Sequence, residues 1–145
     1  PRTYIGWGKS TQLGFGLGVI MGAKLAKPDY TCINIMGDAA IGMVGLDIET
    51  AVRNNLGIIT IVFNNGIMAI ESDHMPYAAK TYDAIRQDGN YAEIAKALGA
   101  WSKIVKSPDE IIPSIKEAIN VSKTGQPVLL DCHVKAGFDF SIHKY

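Results

Sequence analysis

Apolar residues follow two rhythms along the chain, a period of about four and short unbroken runs, and the two alternate. Between Gly14 and Lys27 the residues Leu17, Met21 and Leu25 recur every four positions, with Ile20 between, which predicts a helix lying against a sheet. Pro28-Asp29 ends it, and the β-rich run Thr31 to Met36 predicts the first central strand. Leu46, Ile48, Ala51 and Val52 then mark a helix over Gly45 to Asn55, with Asp47 and Glu49 in its early turns, where the helix dipole favours acids. Ile58 to Phe63 is β-branched and apolar on both faces, as expected of a strand covered on each side.

Beyond Asn65 the pattern loosens. Gly66 to Asn90 mixes charges, prolines and aromatics, and reads as a short helical start near Met68 to Ser72 followed by a long loop. Order returns with a helix over Tyr91 to Leu98, with Ala92, Ile94, Ala95 and Leu98 inward and Gly99 as its stop. A short strand, Trp101 to Val105, follows. Ser107 as cap, Pro108 at the first position and Glu110 three residues after the cap start a helix that runs through Ile111, Ile115 and Ile119 to about Lys123. Val128 to Val134 is the last buried strand, before a polar, partly aromatic tail. Helices alternating with parallel strands predict an α/β fold: a doubly wound, mainly parallel sheet with helices on both faces.

This order fixes where chemistry can sit. Gly37-Asp38-Ala39-Ala40 follows the first strand and Asn64-Asn65-Gly66-Ile67 the second. In open parallel sheets ligands bind beyond the carboxyl ends of the strands, so the two segments predict one site made of two loops. Asp38, Asn65 and a backbone carbonyl offer hard oxygen ligands of the kind magnesium takes. With one formal negative charge from the protein, a diphosphate is the natural second anion, and helix starts near Gly45 and Met68 would receive it. The same residues also suit plain turns, since Asp, Asn and Gly are common turn formers.

Composition narrows the alternatives. The 145 residues suit one domain, and 48% hydrophobic residues are ample for a core. Fourteen basic residues balance fourteen acidic ones, which argues against nucleic acid or an anionic membrane surface as partner. Cys32 and Cys132 both lie in apolar runs and read as small buried hydrophobes rather than a disulfide. The longest apolar stretch, Leu13 to Met21, is too short to span a bilayer, and the expected location is cytoplasmic. The first residue is Pro1, which allows the chain to be one piece of a larger polypeptide. Two glycine motifs fail on spacing: a phosphate loop ending in Gly8-Lys9-Ser10 needs a glycine where Thr3 stands, and a dinucleotide fingerprint from Gly14 needs one at Val19.

Gly37-Asp38, with paired Asn64-Asn65 closing the next β-run 27 positions on, resembles the metal and diphosphate motif of thiamine diphosphate-dependent enzymes. Leu13 to Leu17, Gly22-Ala23-Lys24 and Ala26 to Asp29 are similar to the preceding stretch in acetolactate synthases and related 2-oxo acid decarboxylases. Gly42 to Arg53 and Phe63 to Gly66 also look like 2-hydroxyacyl-CoA lyases and oxalyl-CoA decarboxylases. The resemblance implies thiamine diphosphate and magnesium as cofactors, with Asp38, Asn65 and the Ile67 carbonyl on the metal. It also implies diphosphate contacts from the backbone of Gly37, Ala39, Ala40, Ile67 and Met68. Ala40 departs from the serine or threonine of many members, a loss of about 1 kcal/mol for one hydrogen bond.

Three further roles come from the same resemblance. Leu13 would support the bent cofactor from beneath, and the Thr11 carbonyl with the Leu13 N–H would meet the pyrimidine edge. Glu71, six residues after Asn65, would handle substrate protons; a helix-surface acid is the plainer reading. The activating glutamate belongs to a separate pyrimidine-binding domain that nothing in these residues matches. The chain is therefore expected to be the diphosphate-binding half of a homodimeric or homotetrameric enzyme. Such an enzyme would decarboxylate a 2-oxo acid and join or protonate the carbanion, as an acetolactate synthase does. Acting on an acyl-CoA, or binding the cofactor without turnover, are the alternatives. The glycine-rich face near Trp7 and Phe15 is a candidate contact with the missing domain.

Overall fold

The computed structural model describes residues 3–6 and 12–137. Four strands, β1 (Cys32–Gly37), β2 (Ile58–Asn64), β3 (Trp101–Val105) and β4 (Val128–His133), form one sheet in the order β1-β2-β4-β3. Every pairing is parallel, and the register sets Gly37 opposite Phe63 and Asn64 opposite His133. The carboxyl ends of β1, β2 and β4 are therefore level, as the doubly wound reading requires.

Helices α1 (Phe15–Ala26), α2 (Asp38–Val44), α3 (Ile48–Arg53) and α6 (Tyr91–Ala97) gather on one face. Their side chains and the sheet residues Cys32, Met36, Ile58, Val62 and Leu129 make the larger core. On the opposite face α7 (Pro108–Ser122) packs over β2, β3 and β4 against Ile59, Val128 and Leu130. The capping signal at its start is realised: Glu110 Oε2 accepts from the N–H groups of Lys106 (2.7 Å) and Ser107 (3.3 Å). The two cysteines lie on opposite faces, Cys32 in the larger core and Cys132 beside the α7 core, and both are free thiols. Burial pushes the Cys132 thiol up from its ordinary pKa. Among the described residues no helix is long and apolar enough to cross a membrane.

Four expectations change. Asp38 opens helix α2 directly from the strand end, and a 3₁₀ turn over Gly45–Asp47 connects α2 to α3, so the predicted loop-then-helix is helix throughout. The small residues Ala39, Ala40 and Gly42 hid this, because they carry no periodic apolar stripe. Within Gly66 to Asn90, α4 (Ala69–His74) is followed by a second helix, α5 (Pro76–Tyr82), where a loop is expected. Pro76 at its first turn was the available signal. Leu25, expected on the buried stripe, is exposed, and Leu17 is the fully buried residue of α1. Ile94 is also substantially exposed, so Ala92 and Ala95 carry the inner face of α6.

Candidate functional site

Asp38 is the first residue of α2 and only 3% exposed. A carboxylate buried this deeply needs partners, since an uncompensated buried charge costs several kcal/mol, roughly. Its Oδ1 accepts from the N–H of Ala39 at 2.8 Å, and its Oδ2 accepts from the N–H of Gly66 at 2.7 Å. That second bond ties the end of β1 to the segment leaving β2. It forms because Gly66 takes φ +74°, a left-handed turn that glycine enters without the Cβ penalty.

The segment is held from its other side as well. The Gly66 carbonyl accepts from Gln87 N–H at 2.9 Å, and Met68 N–H donates to the Ile85 carbonyl at 2.7 Å. Arg86, bridged to Ile67, pairs with Asp83 and Asp88, and these carboxylates hold its guanidinium above its ordinary pKa. Asn65 Oδ1 accepts from the Ile67 N–H at 3.1 Å and closes a side-chain turn. The structure thus brings Asp38, Asn65 and Ile67 together around the Gly66 turn.

The paired asparagines separate at this point. Strand parity turns Asn64 toward the α6 face, where its Nδ2 donates to Asp131 Oδ1 at 3.0 Å and makes a longer contact of 3.5 Å with the Gly89 carbonyl. Asn65 continues into the turn. Asp131 is fully buried, and its Oδ2 accepts from Ala92 N–H at 3.4 Å. Tyr91, buried at the start of α6, has its phenol pushed up by burial first and then by the fields of Asp38 and Asp131. Asp131 escapes sequence reasoning because it sits inside an apolar strand, with only the break in Val128-Leu129-Leu130-Asp131-Cys132 to mark it.

The other expected residues fall at varying distances from this centre. Gly37 is the extended N-cap of α2. Ala40 is buried in the larger core, so only its backbone could face a ligand; N–H groups in the first turn of a helix have no intrahelical acceptor. Ile67 and Met68 N–H groups are already bonded, to Asn65 Oδ1 and the Ile85 carbonyl, so contact with a phosphate through either would exchange these bonds. Leu13 is half-buried against the larger core just before α1. Glu71 is half-buried in the first turn of α4 and makes no ion pair among the described residues. Thr11 and Trp7 lie outside the described residues.

Magnesium and a diphosphate fit the donor set on chemical grounds. The centre offers a carboxylate, an amide oxygen and a carbonyl, all hard oxygens, and the side-chain acceptors retain lone pairs beyond the hydrogen bonds they accept. Among the described residues no cluster of three or more His, Cys, Asp or Glu side chains could hold a metal alone. A metal here would need ligand oxygens from elsewhere, which a diphosphate provides.

Comparison with known proteins gives the family and the fold. Residues 1–132 match the family model described as thiamine pyrophosphate enzyme, C-terminal TPP binding domain. A probable acetolactate synthase of Mycobacterium bovis is 32% identical over 120 residues, covering 81% of this chain and 22% of the relative. A 2-hydroxyacyl-CoA lyase of Arabidopsis thaliana is 31% identical over 132 residues, covering 85% of this chain and 23% of the relative. Among solved structures, the thiamine diphosphate-dependent 4-hydroxybenzoylformate decarboxylase of Rhodococcus jostii shares the fold, with a TM-score of 0.71 at 24% identity over 89% of this chain and 24% of that one. The chain thus spans under a quarter of the length of these relatives. Strand order, the two joined strand ends and the family match lead to one assignment: the chain belongs to the thiamine pyrophosphate enzymes, as their C-terminal cofactor-binding domain.

Proposed function

We propose that this chain grips the diphosphate of thiamine diphosphate through a magnesium ion held by Asp38, Asn65 Oδ1 and the Ile67 carbonyl. The observation that carries the reading is the 2.7 Å bond from Gly66 N–H to buried Asp38, which gathers these oxygens at the ends of two adjacent strands. The bound cofactor supplies a thiazolium carbon that acts as nucleophile and electron sink. The chain's residues bind and orient it. Asp38 offsets part of the metal's charge and Asn65 helps to place it, while the backbone N–H of Ala40 meets a phosphate oxygen and that of Ala39 would exchange its bond to Asp38 Oδ1 to do the same. Leu13, seated on the core, gives the rings an apolar support, and alignment of this kind lowers a barrier by removing the search for a reactive geometry. Glu71, half-exposed and unpaired among the described residues, is available to exchange a proton with substrate.

The reaction is decarboxylation of a 2-oxo acid followed by ligation or protonation of the carbanion, in the manner of an acetolactate synthase. The 32% identity to a probable acetolactate synthase supports it. Cleavage or decarboxylation of an acyl-CoA is the second reading, favoured by the 31% identity to a 2-hydroxyacyl-CoA lyase. Either requires a pyrimidine-binding domain or subunit that supplies the activating glutamate, within a dimer or tetramer. An uncovered strip of sheet supports such a partner: Ile33 (42% exposed), Ile35 (61%) and Phe63 (50%) lie beyond the reach of α7.

Calorimetry with thiamine diphosphate and magnesium on the full native protein tests the metal assignment. Asp38→Ala is expected to abolish the magnesium-dependent heat; binding equal to wild type refutes the assignment. For turnover, exchange of the thiazolium C2 proton is expected to be fast only when the pyrimidine-binding partner is present. Slow exchange in that complex would leave a cofactor-binding domain without catalysis.

A further inference from the structure

We infer that Asp131 is a positioning residue for the metal turn, acting through Asn64 from beneath the sheet's carboxyl edge. The inference rests on the magnesium-diphosphate reading above and adds a residue outside the ligand set. Asp131 lies on β4, one strand away from the turn, with its side chain wholly buried. Its two oxygens face two donors that belong to different parts of the site. Asn64 Nδ2, at 3.0 Å, belongs to the residue directly before Asn65; Ala92 N–H, at 3.4 Å, belongs to the start of α6.

The geometry makes this carboxylate a clamp. Asn64 is the last residue of β2, and its side chain must choose between the protein interior and the crevice. The bond to Asp131 commits it inward, and the pleat then commits Asn65 to the opposite direction, into the Gly66 turn beside Asp38. Asn64 Nδ2 also touches the Gly89 carbonyl, in the same 85–89 segment that holds Gly66 and Met68 from outside. Asp131 therefore ties β2, β4 and the start of α6 into one frame around the turn. Among the described residues the only basic side chain paired with its carboxylate is His133, with Nε2 3.8 Å from Oδ1 and its side chain 44% exposed. A buried acid with so little cationic support is an expensive way to hold two neutral donors if packing were its sole purpose.

An asparagine at position 131 has the same shape but one acceptor in place of two, so it can satisfy Asn64 or Ala92 and must oppose its own amide hydrogens to the other. Asp131→Asn in the full native protein is expected to raise the magnesium concentration for half-saturation about 10- to 100-fold, the usual effect of losing a residue that orients a metal ligand. Its kcat at saturating magnesium is expected to stay close to wild type. Without any ligand, amide hydrogen exchange at Gly66, Ile67 and Met68 should accelerate in the variant. The reversed pair Asn64→Asp with Asp131→Asn restores one donor facing one acceptor and frees the amide oxygen at position 131 for Ala92, while giving up the long contact with the Gly89 carbonyl, so it should recover part of the lost affinity.

Unchanged half-saturation and unchanged exchange in Asp131→Asn would overturn the inference. So would an affinity loss that the reversed pair does not recover and that a core variant of equal instability reproduces. If Asp131→Asn does not fold, Asn64→Ala must produce the same rise and the same faster exchange. The two readings separate cleanly: unchanged binding in Asp38→Ala sinks the metal assignment, while ligand-free exchange still decides whether Asp131 sets the turn.

Discussion

The two faces of the sheet are built to different rules. On the α7 face, Ile59, Val128, Leu130 and Ala118 make a small apolar core, and the strip of Ile33, Ile35 and Phe63 beside it stays exposed. On the other face the larger core surrounds buried polar groups: Asn34, Thr60 and Asp131 lie within the sheet, and Asp38 at its edge. The α7 face also buries polar groups, the hydroxyls of Ser114 and Ser122, but both buried carboxylates, Asp38 and Asp131, belong to the larger-core face, and a buried charge is far costlier than a buried hydroxyl, so they mark where the fold is doing more than packing. Two of the bonds involved, Asp38 to Gly66 and Asn64 to Asp131, meet at or beside the turn after β2, and a third, Asp131 to Ala92, ties the start of α6 to them.

Adjacent leucines on β4 put this contrast to its strongest test. Leu129 and Leu130 are each 1% exposed but point into opposite cores. Truncation of either to alanine is expected to cost about 2–5 kcal/mol in chemical denaturation. Leu129→Ala, beneath Tyr91 and α2, should also weaken cofactor binding at temperatures where the protein stays folded, whereas Leu130→Ala should not. Equal binding effects from the two would erase the distinction between the faces.

Asp38→Ala leaves the N–H groups of Ala39 and Gly66 without their acceptor. A stability loss of about 1–3 kcal/mol is expected even in the absence of ligand, read from urea unfolding. Gly16→Ala probes close approach on the same face: a methyl group there would collide with Asn34 Oδ1, on the buried row. We expect a loss of about 1–3 kcal/mol, relieved in part when Asn34 is shortened to serine.

The smallest effect belongs to the α7 face. N–H donation from Lys106 and Ser107 holds Glu110 below its ordinary carboxyl pKa of 4.5. Its contribution to stability is therefore complete above that value and disappears as pH falls through the lower folded-state value. Glu110→Gln should slightly lower the melting temperature at neutral pH and flatten its decline in acid. Cofactor binding should not change.

Strands and most helices were legible because their signals are local. The runs Thr31 to Met36 and Ile58 to Phe63 gave β1 and β2 to within a residue, and Ser107-Pro108 with Glu110 gave the start of α7. Local signals also misled where they were weak. Ala39, Ala40 and Gly42 carry too little hydrophobic contrast to announce α2, and the charged surface of α4 and α5 resembles a loop. At the site, Asp38 and Asn65 stood out as polar residues at strand ends. Asp131 did not, because its importance depends on lying beside Asn64, 67 residues away along the chain.

Taken alone, the order of apolar runs and caps determined an alternating α/β chain, and the spacing of Asp38 and Asn65 determined the family it resembles. Both follow from short-range chemistry: side-chain branching, periodicity and helix ends. Only the folded chain decided that strands lie in the order β1-β2-β4-β3, which brings β4 beside β2 across four helices and an intervening strand. That adjacency sends Asn64 inward to Asp131 and leaves Asn65 outward beside Asp38. The physical reason is the pleat: neighbouring asparagines face opposite ways, and which way each faces is set by the strand that comes to lie alongside.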